Sequence, residues 1–218
     1  LPWAYWTADH RTAAGEIRAL NLPDGSRVVL NSHSAIDLDY SDASRTVELV
    51  RGELLATVAK APDRPFRVVT RHLTATALGT EYSVRLEDDF TRVAVQESKV
   101  AVTPRDGGNS LEISAGQQAD LNRDGVIARN ATPSQRPDWA DGRLAFSSAP
   151  LTDVVERLAR HRPGLLTLDD ALAQSSRRFT GVLPADDSDA ALTLLADTLN
   201  LEVRYLTPWY VTVQPPSP

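Results

Sequence analysis

The feature that most constrains this chain is a period-two alternation of apolar and polar residues over residues 17–127. In residues 36–40, for example, three apolar side chains alternate with two aspartates. Because successive side chains of a β-strand point to opposite faces, such a pattern indicates strands with one buried face. Asp-Gly pairs interrupt the pattern and supply the glycine that tight hairpin turns favour. The pattern predicts an all-antiparallel, β-rich N-terminal domain at residues 1–132.

A helical period replaces this alternation in the last third of the chain. Apolar residues recur at i, i+3, i+4 and i+7 in residues 151–159, directly after Pro150, a residue that the first turn of a helix tolerates. A second helix is expected between Asp186, a capping residue, and Asn200, which can end a helix in a left-handed conformation. Strand-like runs surround both helices at residues 143–146, 165–168, 178–183, 201–205 and 209–213. Their order, β-α-β-β-α-β-β, predicts a small α+β domain at residues 139–214 and a mainly β chain overall.

The segment between Ala131 and Asp138 separates the two patterns. It contains Thr, Pro, Ser, Gln and Arg without apolar periodicity, which is typical of a stiff polar linker. At 218 residues, the chain is long enough for two small cores. We therefore predict two separable units that meet in this segment.

Composition excludes several classes of function. The net charge is −6, and Lys and Arg are scattered along the chain, whereas nucleic-acid binding depends on clustered basic residues. The chain has no Cys, which excludes disulfides, thiol catalysis and Cys-ligated zinc. No stretch approaches the ~20 apolar residues that a membrane-spanning helix needs. We therefore expect no nucleic-acid partner, and any membrane anchor to lie outside this sequence.

The strongest metal-like motif is residues 120–125, which match the first half of a calcium loop, D-x-N-x-D-G. The twelfth position of such a loop normally supplies a bidentate Glu, but here it is Ala131. A hairpin turn is therefore the favoured interpretation. The four His residues lie far apart and lack the spacing of a zinc site. We predict no metal and no other cofactor.

Catalytic motifs are equally weak. The chain has no G-x-S-x-G elbow, and a glycosidase would need two carboxylates that converge across a cleft. The acid pairs fit an outer strand face, a hairpin turn, a helix start and a helix cap instead. They are Asp37 with Asp39, Asp88 with Asp89, Asp169 with Asp170, and Asp186 with Asp187. No catalytic residue is assigned, and we expect neither enzymatic activity nor a small-molecule ligand.

Several short motifs together resemble the periplasmic FecR domain in order and spacing. They are LPDGSRV at residues 22–28 with LN at 30–31, RGE at 51–53, RPF at 64–66, GTEY at 79–82 and AGQ at 115–117. Residues 139–158 look like the usual continuation in that family. The remainder, including residues 179–181 and 190–199, is similar to the short N-terminal domain of secretins and TonB-dependent receptors.

The resemblance implies an inner-membrane sigma regulator with a cytoplasmic anti-sigma segment, one transmembrane helix and a periplasmic sensor. This chain would be the periplasmic domain of such a single-pass protein, acting in cell-surface signalling for iron uptake. The implied partners are the N-terminal signalling domain of an outer-membrane TonB-dependent siderophore transporter, and periplasmic and intramembrane proteases. An extracytoplasmic-function sigma factor would bind through a cytoplasmic segment absent from this sequence.

We predict the partner-binding surface on the last hairpin, residues 201–213. A strand that ends a small domain tends to lie at a sheet edge, where unpaired N–H and C=O groups can accept a strand from another molecule. Trp and Tyr often dominate interface energies. The predicted contact residues are Trp209, Tyr210, Val211, Val213 and Phe146. The alternative interpretation places Trp209 in the core and has the β body cover the strand edge.

Two other classes of function stay open at this point: a glycan hydrolase or transferase that uses an acid pair, and a β-rich carbohydrate-binding module. A carbohydrate platform normally exposes several aromatic side chains, whereas Tyr40 and Tyr82, which lie in clear strands, are predicted to face inward. Inward aromatic residues favour a role in the core. The leading prediction is a non-enzymatic module that binds other proteins.

Overall fold

The computed structural model describes residues 2–131 and 135–216. A short helix, α1 (Pro2–Thr7), precedes thirteen strands that we call the β body. These strands are β1 (His10–Arg11), β2 (Arg18–Asn21), β3 (Arg27–Leu30), β4 (Ala35–Tyr40), β5 (Arg45–Thr57), β6 (Phe66–Val69), β7 (Leu73–Ala77), β8 (Glu81–Leu86), β9 (Thr91–Glu97), β10 (Lys99–Pro104), β11 (Leu111–Ser114), β12 (Gln117–Leu121) and β13 (Val126–Ala131). The prediction of a mainly β chain is confirmed.

The strands of the β body form one curled sheet that divides into two halves. The order is β1-β4-β5-β6-β7-β10-β11 in one half and β2-β3-β5-β8-β9-β12-β13 in the other. The long strand β5 belongs to both halves. Gly52, with a φ of +83°, lies within β5 at the point where the two halves meet. A Cβ at Gly52 would lie 2.7 Å from the Cα of Ser34, so this close approach requires glycine.

The two halves enclose one hydrophobic core, as the period-two pattern predicts. In β10, buried and exposed residues alternate without exception. Phe66 and Tyr82 are the largest fully buried apolar side chains of this core, which confirms the inward orientation predicted for Tyr82. Tyr40 packs against the same core and is half-buried. Predicted hairpins are also confirmed, because positive-φ glycines at residues 25, 107 and 125 lie in the turns that join antiparallel neighbours.

One strand pair contradicts the all-antiparallel prediction, since β6 runs parallel to β5, with Phe66 opposite Arg45. A parallel connection ordinarily needs a dozen or more residues, but only residues 58–65 join these strands. The bend at Gly52 explains the difference, because it brings the end of β5 back towards its start. Arg45, at the start of β5, donates a hydrogen bond of 3.1 Å to the carbonyl of Ala59, just beyond its end. Alternation of apolar residues cannot reveal such a bend.

The C-terminal unit, residues 138–214, is a small α+β structure. It begins with a 3₁₀ turn (Asp138–Asp141) and contains β14 (Arg143–Pro150), α2 (Leu151–Ala159), β15 (Leu165–Leu168), α3 (Asp170–Ala173), β16 (Arg178–Pro184), α4 (Ser188–Leu199), β17 (Glu202–Thr207) and β18 (Tyr210–Gln214). Strands β14 and β16 pair with each other, and β15, β18 and β17 form a second sheet. The predicted order is confirmed, with the one-turn helix α3 as an addition. Asn200 ends α4 in the left-handed conformation expected from the sequence.

The two units share a second hydrophobic cluster. Val28 and Leu54 face the core of the β body, whereas their neighbours Val29 and Leu55 join the cluster of the C-terminal unit. Trp139 belongs to that cluster, and its Nε1 donates a hydrogen bond of 3.2 Å to Glu53 of β5. The C-terminal unit therefore packs on the outer face of the β body. Part of the predicted boundary, residues 132–134, lies outside the described residues, and separability stays a prediction.

Candidate partner-binding surface

The predicted hairpin occupies an unexpected position in its sheet. Strand β18 is the central strand, because it pairs in parallel with β15 and antiparallel with β17. The prediction that the last strand lies at a sheet edge is therefore wrong. The alternating Val211, Thr212 and Val213 suit a central strand, since β-branched side chains pack well within a sheet. The edges of this sheet are β15 and β17.

The five predicted contact residues fall into two groups. Trp209 and Tyr210 are 64% and 39% exposed, so the interpretation of Trp209 as a core residue does not hold. Val211, Val213 and Phe146 are buried in the cluster of the C-terminal unit, and they cannot contact a partner while the unit keeps this fold. The period-two pattern already contains this division, because Val211 and Val213 share the face opposite to Tyr210. The candidate surface thus keeps the two aromatic residues alone.

Exposed apolar side chains surround these two aromatic residues. We call this cluster the aromatic end; it consists of Leu165, Tyr205, Leu206, Trp209 and Tyr210, all of which are exposed. Leu165 lies opposite Tyr210 in the parallel pair, and its N–H donates to the Trp209 carbonyl over 2.7 Å. Tyr205 lies opposite Val211 in the neighbouring strand β17. Large exposed apolar patches commonly mark protein-binding sites. Sequence reasoning missed Tyr205 and Leu206, although two adjacent large apolar residues break the expected alternation of a half-buried strand.

A glycine fixes the approach of β15 to the aromatic end. Gly164 has a φ of +82°, and a Cβ there would lie 2.7 Å from the carbonyl carbon of Trp209. Only a residue without a side chain fits between the end of the α2 segment and the turn that carries Trp209. The position of the Trp209 backbone is therefore set by close packing.

Tyr205 is held by a polar network that joins three elements. Its hydroxyl donates to Asp189 at the start of α4 over 2.9 Å. Arg162, which follows α2 and is buried, forms an ion pair with the same carboxylate. The Arg162 guanidinium carbon also lies 5.5 Å from the centre of the Tyr205 ring, within the range of a cation–π contact. The network fixes the orientation of Tyr205 although its ring is exposed.

The pKa values of this network follow from its geometry. Burial acts to raise the pKa of Asp189, but hydrogen bonds from Arg162 and Tyr205 outweigh it and lower that pKa. Burial raises the pKa of Tyr205, and the hydrogen bond to Asp189 adds to this shift. Asp189 thus stays a carboxylate and Tyr205 a neutral hydroxyl at neutral pH. The result is a stable support for the edge strand β17.

The edge of β17 borders the aromatic end. Within the part of the chain that the structure describes, β17 pairs with β18 on one side only. Residues 204–207 are exposed, and such an edge presents backbone groups that a further strand can pair with. The predicted hairpin therefore does contain a sheet edge, but the edge strand is β17, the first strand of the hairpin, and not β18.

The motifs considered for chemistry have structural roles. Residues 120–125 form the predicted hairpin turn between β12 and β13, and Asp120 binds Arg92 through hydrogen bonds of 2.7 and 2.6 Å. Asp169 and Asp187 cap α3 and α4 with their carboxylates. Residues 2–131 and 135–216 contain no cluster of three or more His, Cys, Asp or Glu that could hold a metal ion. In the same ranges, no helix is long and apolar enough to cross a membrane.

Comparisons with known proteins identify a domain within the β body. Residues 8–101 match the family model described as FecR protein. No curated protein matches the chain. Two crystal structures of a protein described as "a putative anti-sigma factor" from Parabacteroides distasonis ATCC 8503 share this fold, with a TM-score of 0.70 and 23% identity. The similarity covers 95% of this chain and 99% and 98% of the other two chains.

Proposed function

We propose that this chain, which carries a FecR family domain at residues 8–101, is the periplasmic signalling region of an inner-membrane sigma regulator. In this proposal it binds the N-terminal signalling domain of an outer-membrane TonB-dependent siderophore transporter. The binding event controls an extracytoplasmic-function sigma factor held by a cytoplasmic segment, and periplasmic and intramembrane proteases act on the regulator. The chain itself has no catalytic role.

The family match supports regulation, and the description of the structural neighbours as an anti-sigma factor agrees with it. The observation that carries the protein-binding part is the aromatic end beside residues 204–207 of β17, an exposed edge that no described strand covers. Seven of the eleven exposed large hydrophobic side chains among the described residues lie in the C-terminal unit. Such a concentration is typical of a surface that another molecule covers.

The geometry supports binding by strand addition. A strand of the partner would pair with the outer edge of β17, while Trp209 and Tyr210 pack on its side chains. Backbone pairing supplies affinity with little sequence selectivity, and the aromatic side chains supply the selective contacts. Arg162 and Asp189 hold Tyr205 in place before binding, so little conformational entropy is lost there.

The test is calorimetric titration of the chain with a cognate transporter signalling domain. Trp209→Ala and Tyr210→Ala should each weaken binding about tenfold or more, because central aromatic contacts often contribute about 2 kcal/mol. Trp6→Ala is the matched control, since Trp6 lies in α1 and is 63% exposed against 64% for Trp209. It should leave the affinity unchanged.

Two results would contradict the proposal. If both C-terminal variants remain folded and bind as tightly as the parent, the aromatic end is not the interface and the β body is the better candidate. If the parent binds no signalling domain but does bind ligands on a glycan array, the carbohydrate-binding alternative replaces the proposed function. A substitution in the centre of the sheet, such as Val211→Pro, is unsuitable because it would disrupt the fold.

A further inference from the structure

A polar cleft lies where α1, the β body and the C-terminal unit meet. Its volume is about 630 Å³, within the range that small-molecule sites occupy. Tyr5 of α1 forms one wall, residues 31–33 and 51–53 of the β body form another, and Arg160, at the end of α2, reaches it from the C-terminal unit. None of the residues that line this cleft belongs to the aromatic end, and the cleft plays no part in the function proposed above.

Four arginines line this cleft in a chain whose net charge is −6. They are Arg51, Arg71, Arg85 and Arg160. Guanidinium groups bind carboxylate and phosphate oxygens through paired hydrogen bonds, so a lining with four arginines favours an anionic ligand. The side chains of Asn31, Ser32 and His33 add further polar groups to the same lining.

The carboxylates of the cleft compensate these charges only in part. Arg85 pairs with Glu87 over 2.7 Å, and Arg71 contacts Asp88 over 3.3 Å. Arg160 pairs with Glu156, which is not among the lining residues. Arg51 lies over the Tyr5 ring at 5.5 Å, and the described residues provide it with no carboxylate within ion-pair distance. Positive charge therefore remains in excess.

The third carboxylate of the lining, Glu53, is buried, and its two oxygens already accept hydrogen bonds from Asn31 and Trp139. Burial raises its pKa, although hydrogen bonds from Asn31 and Trp139 and the charges of Arg85 and Arg160 act in the opposite direction. Burial also lowers the pKa of Arg85, and the positive charge of Arg160 lowers it further. The two guanidinium groups thus repel each other across the junction between the units, and an anion between them would relieve this repulsion.

We propose that this cleft binds a small multivalent oxyanion, a phosphate or a carboxylate, held by Arg51, Arg85 and Arg160. Arg51 and Arg85 belong to the β body and Arg160 to the C-terminal unit, so the anion would bridge the units beside the Glu53–Trp139 hydrogen bond. Because Tyr5 lines the same cleft, binding would also restrain α1. The site departs from the expectation of no small-molecule ligand, since its arginines are far apart in the sequence.

Thermal unfolding of the whole chain tests the proposal, with pyrophosphate as the phosphate probe and tricarballylate as the carboxylate probe. We expect at least one of them, at millimolar concentration, to raise Tm by several degrees over sodium chloride of equal ionic strength. Calorimetry should then give about one bound anion per chain. The two probes distinguish a phosphate ligand from a carboxylate ligand.

The double variant Arg51→Gln, Arg160→Gln should abolish this rise in Tm. The charge-matched control is Lys99→Gln, Arg143→Gln, whose side chains are 63% and 62% exposed and lie outside the cleft. It should keep the full rise. The proposal is overturned if neither probe exceeds chloride, if the cleft variant keeps the rise, or if the control loses it equally. If the cleft variant does not fold, absence of saturable binding to the parent in calorimetry also overturns it.

Discussion

The β body and the C-terminal unit differ in how completely they bury their large apolar side chains. In the β body, one strand shared by two halves closes a core around Phe66 and Tyr82, and few large apolar side chains are exposed. The C-terminal unit buries its helices between two small sheets but leaves Leu165, Leu206 and Trp209 exposed. Exposed apolar side chains contribute little to the stability of the unit that carries them. The contrast supports the proposal that the β body is the scaffold and that the C-terminal unit carries the contact surface.

The largest expected effect concerns whether these regions are separate cooperative units. Phe66→Ala should destabilise the β body by about 3–5 kcal/mol, and Leu195→Ala should destabilise the C-terminal unit by about 2–5 kcal/mol, because each leaves a cavity in its own cluster. Hydrogen exchange followed by mass spectrometry should localise each loss of protection to one unit. If the chain instead unfolds in a single transition that both variants shift equally, the molecule has one shared core.

The junction between the regions should give a smaller effect. Trp139→Phe removes the Nε1–H donor of the hydrogen bond to Glu53. The free energy of unfolding should fall by about 1–3 kcal/mol, because a buried acceptor loses its partner. The loss should appear mainly as weaker coupling between the two unfolding transitions in calorimetry. Leu55→Ala is a useful comparison, since it alters the same junction through apolar contact alone.

The same junction has a defined pH dependence. Because the pKa of Glu53 is raised in the folded chain, the folded state binds its proton more tightly than the unfolded state does. The free energy of unfolding should therefore fall as pH rises above about 4.3, the ordinary pKa of Glu. Urea denaturation of the parent and of Glu53→Gln isolates this contribution, and parallel pH profiles would refute it.

The smallest expected effect is that of calcium on the hairpin of residues 120–125. Asp120 is already bound by Arg92, and the terminal carboxylate of a calcium loop is missing. Calcium at millimolar concentration should leave Tm unchanged. A rise of several degrees would indicate a bound ion, since any ligand of the folded state stabilises it.

Local features of the fold could be predicted from the sequence because their causes are local. Strand alternation, the glycine turns and the apolar spacing of α2 each depend on neighbouring residues. The parallel pairing of β6 and the central position of β18 depend on which distant strands meet, and alternation carries no such information. For the same reason, the sequence could not decide whether Trp209 is exposed or buried.

The arginine cleft was beyond sequence reasoning on the same grounds. Arg51, Arg85 and Arg160 are separated by tens of residues, and each alone fits an ordinary solvated side chain. Adjacent apolar pairs such as Leu54 and Leu55 did contain a usable signal. A strand with large apolar residues on both faces must be covered on both, which points to a second unit packed on the β body.

The central position of β18 has a consequence for the order of folding. Strands β15 and β17 each pair only with β18 among the described residues, so their sheet cannot form until β18 has been synthesised. On a growing chain, the C-terminal unit must therefore finish folding after the β body. A protease that removed the chain from Tyr210 onward would take the middle of the sheet and leave two unpaired strands. Cleavage before β18 would thus dismantle the proposed contact surface and leave the strands of the β body paired.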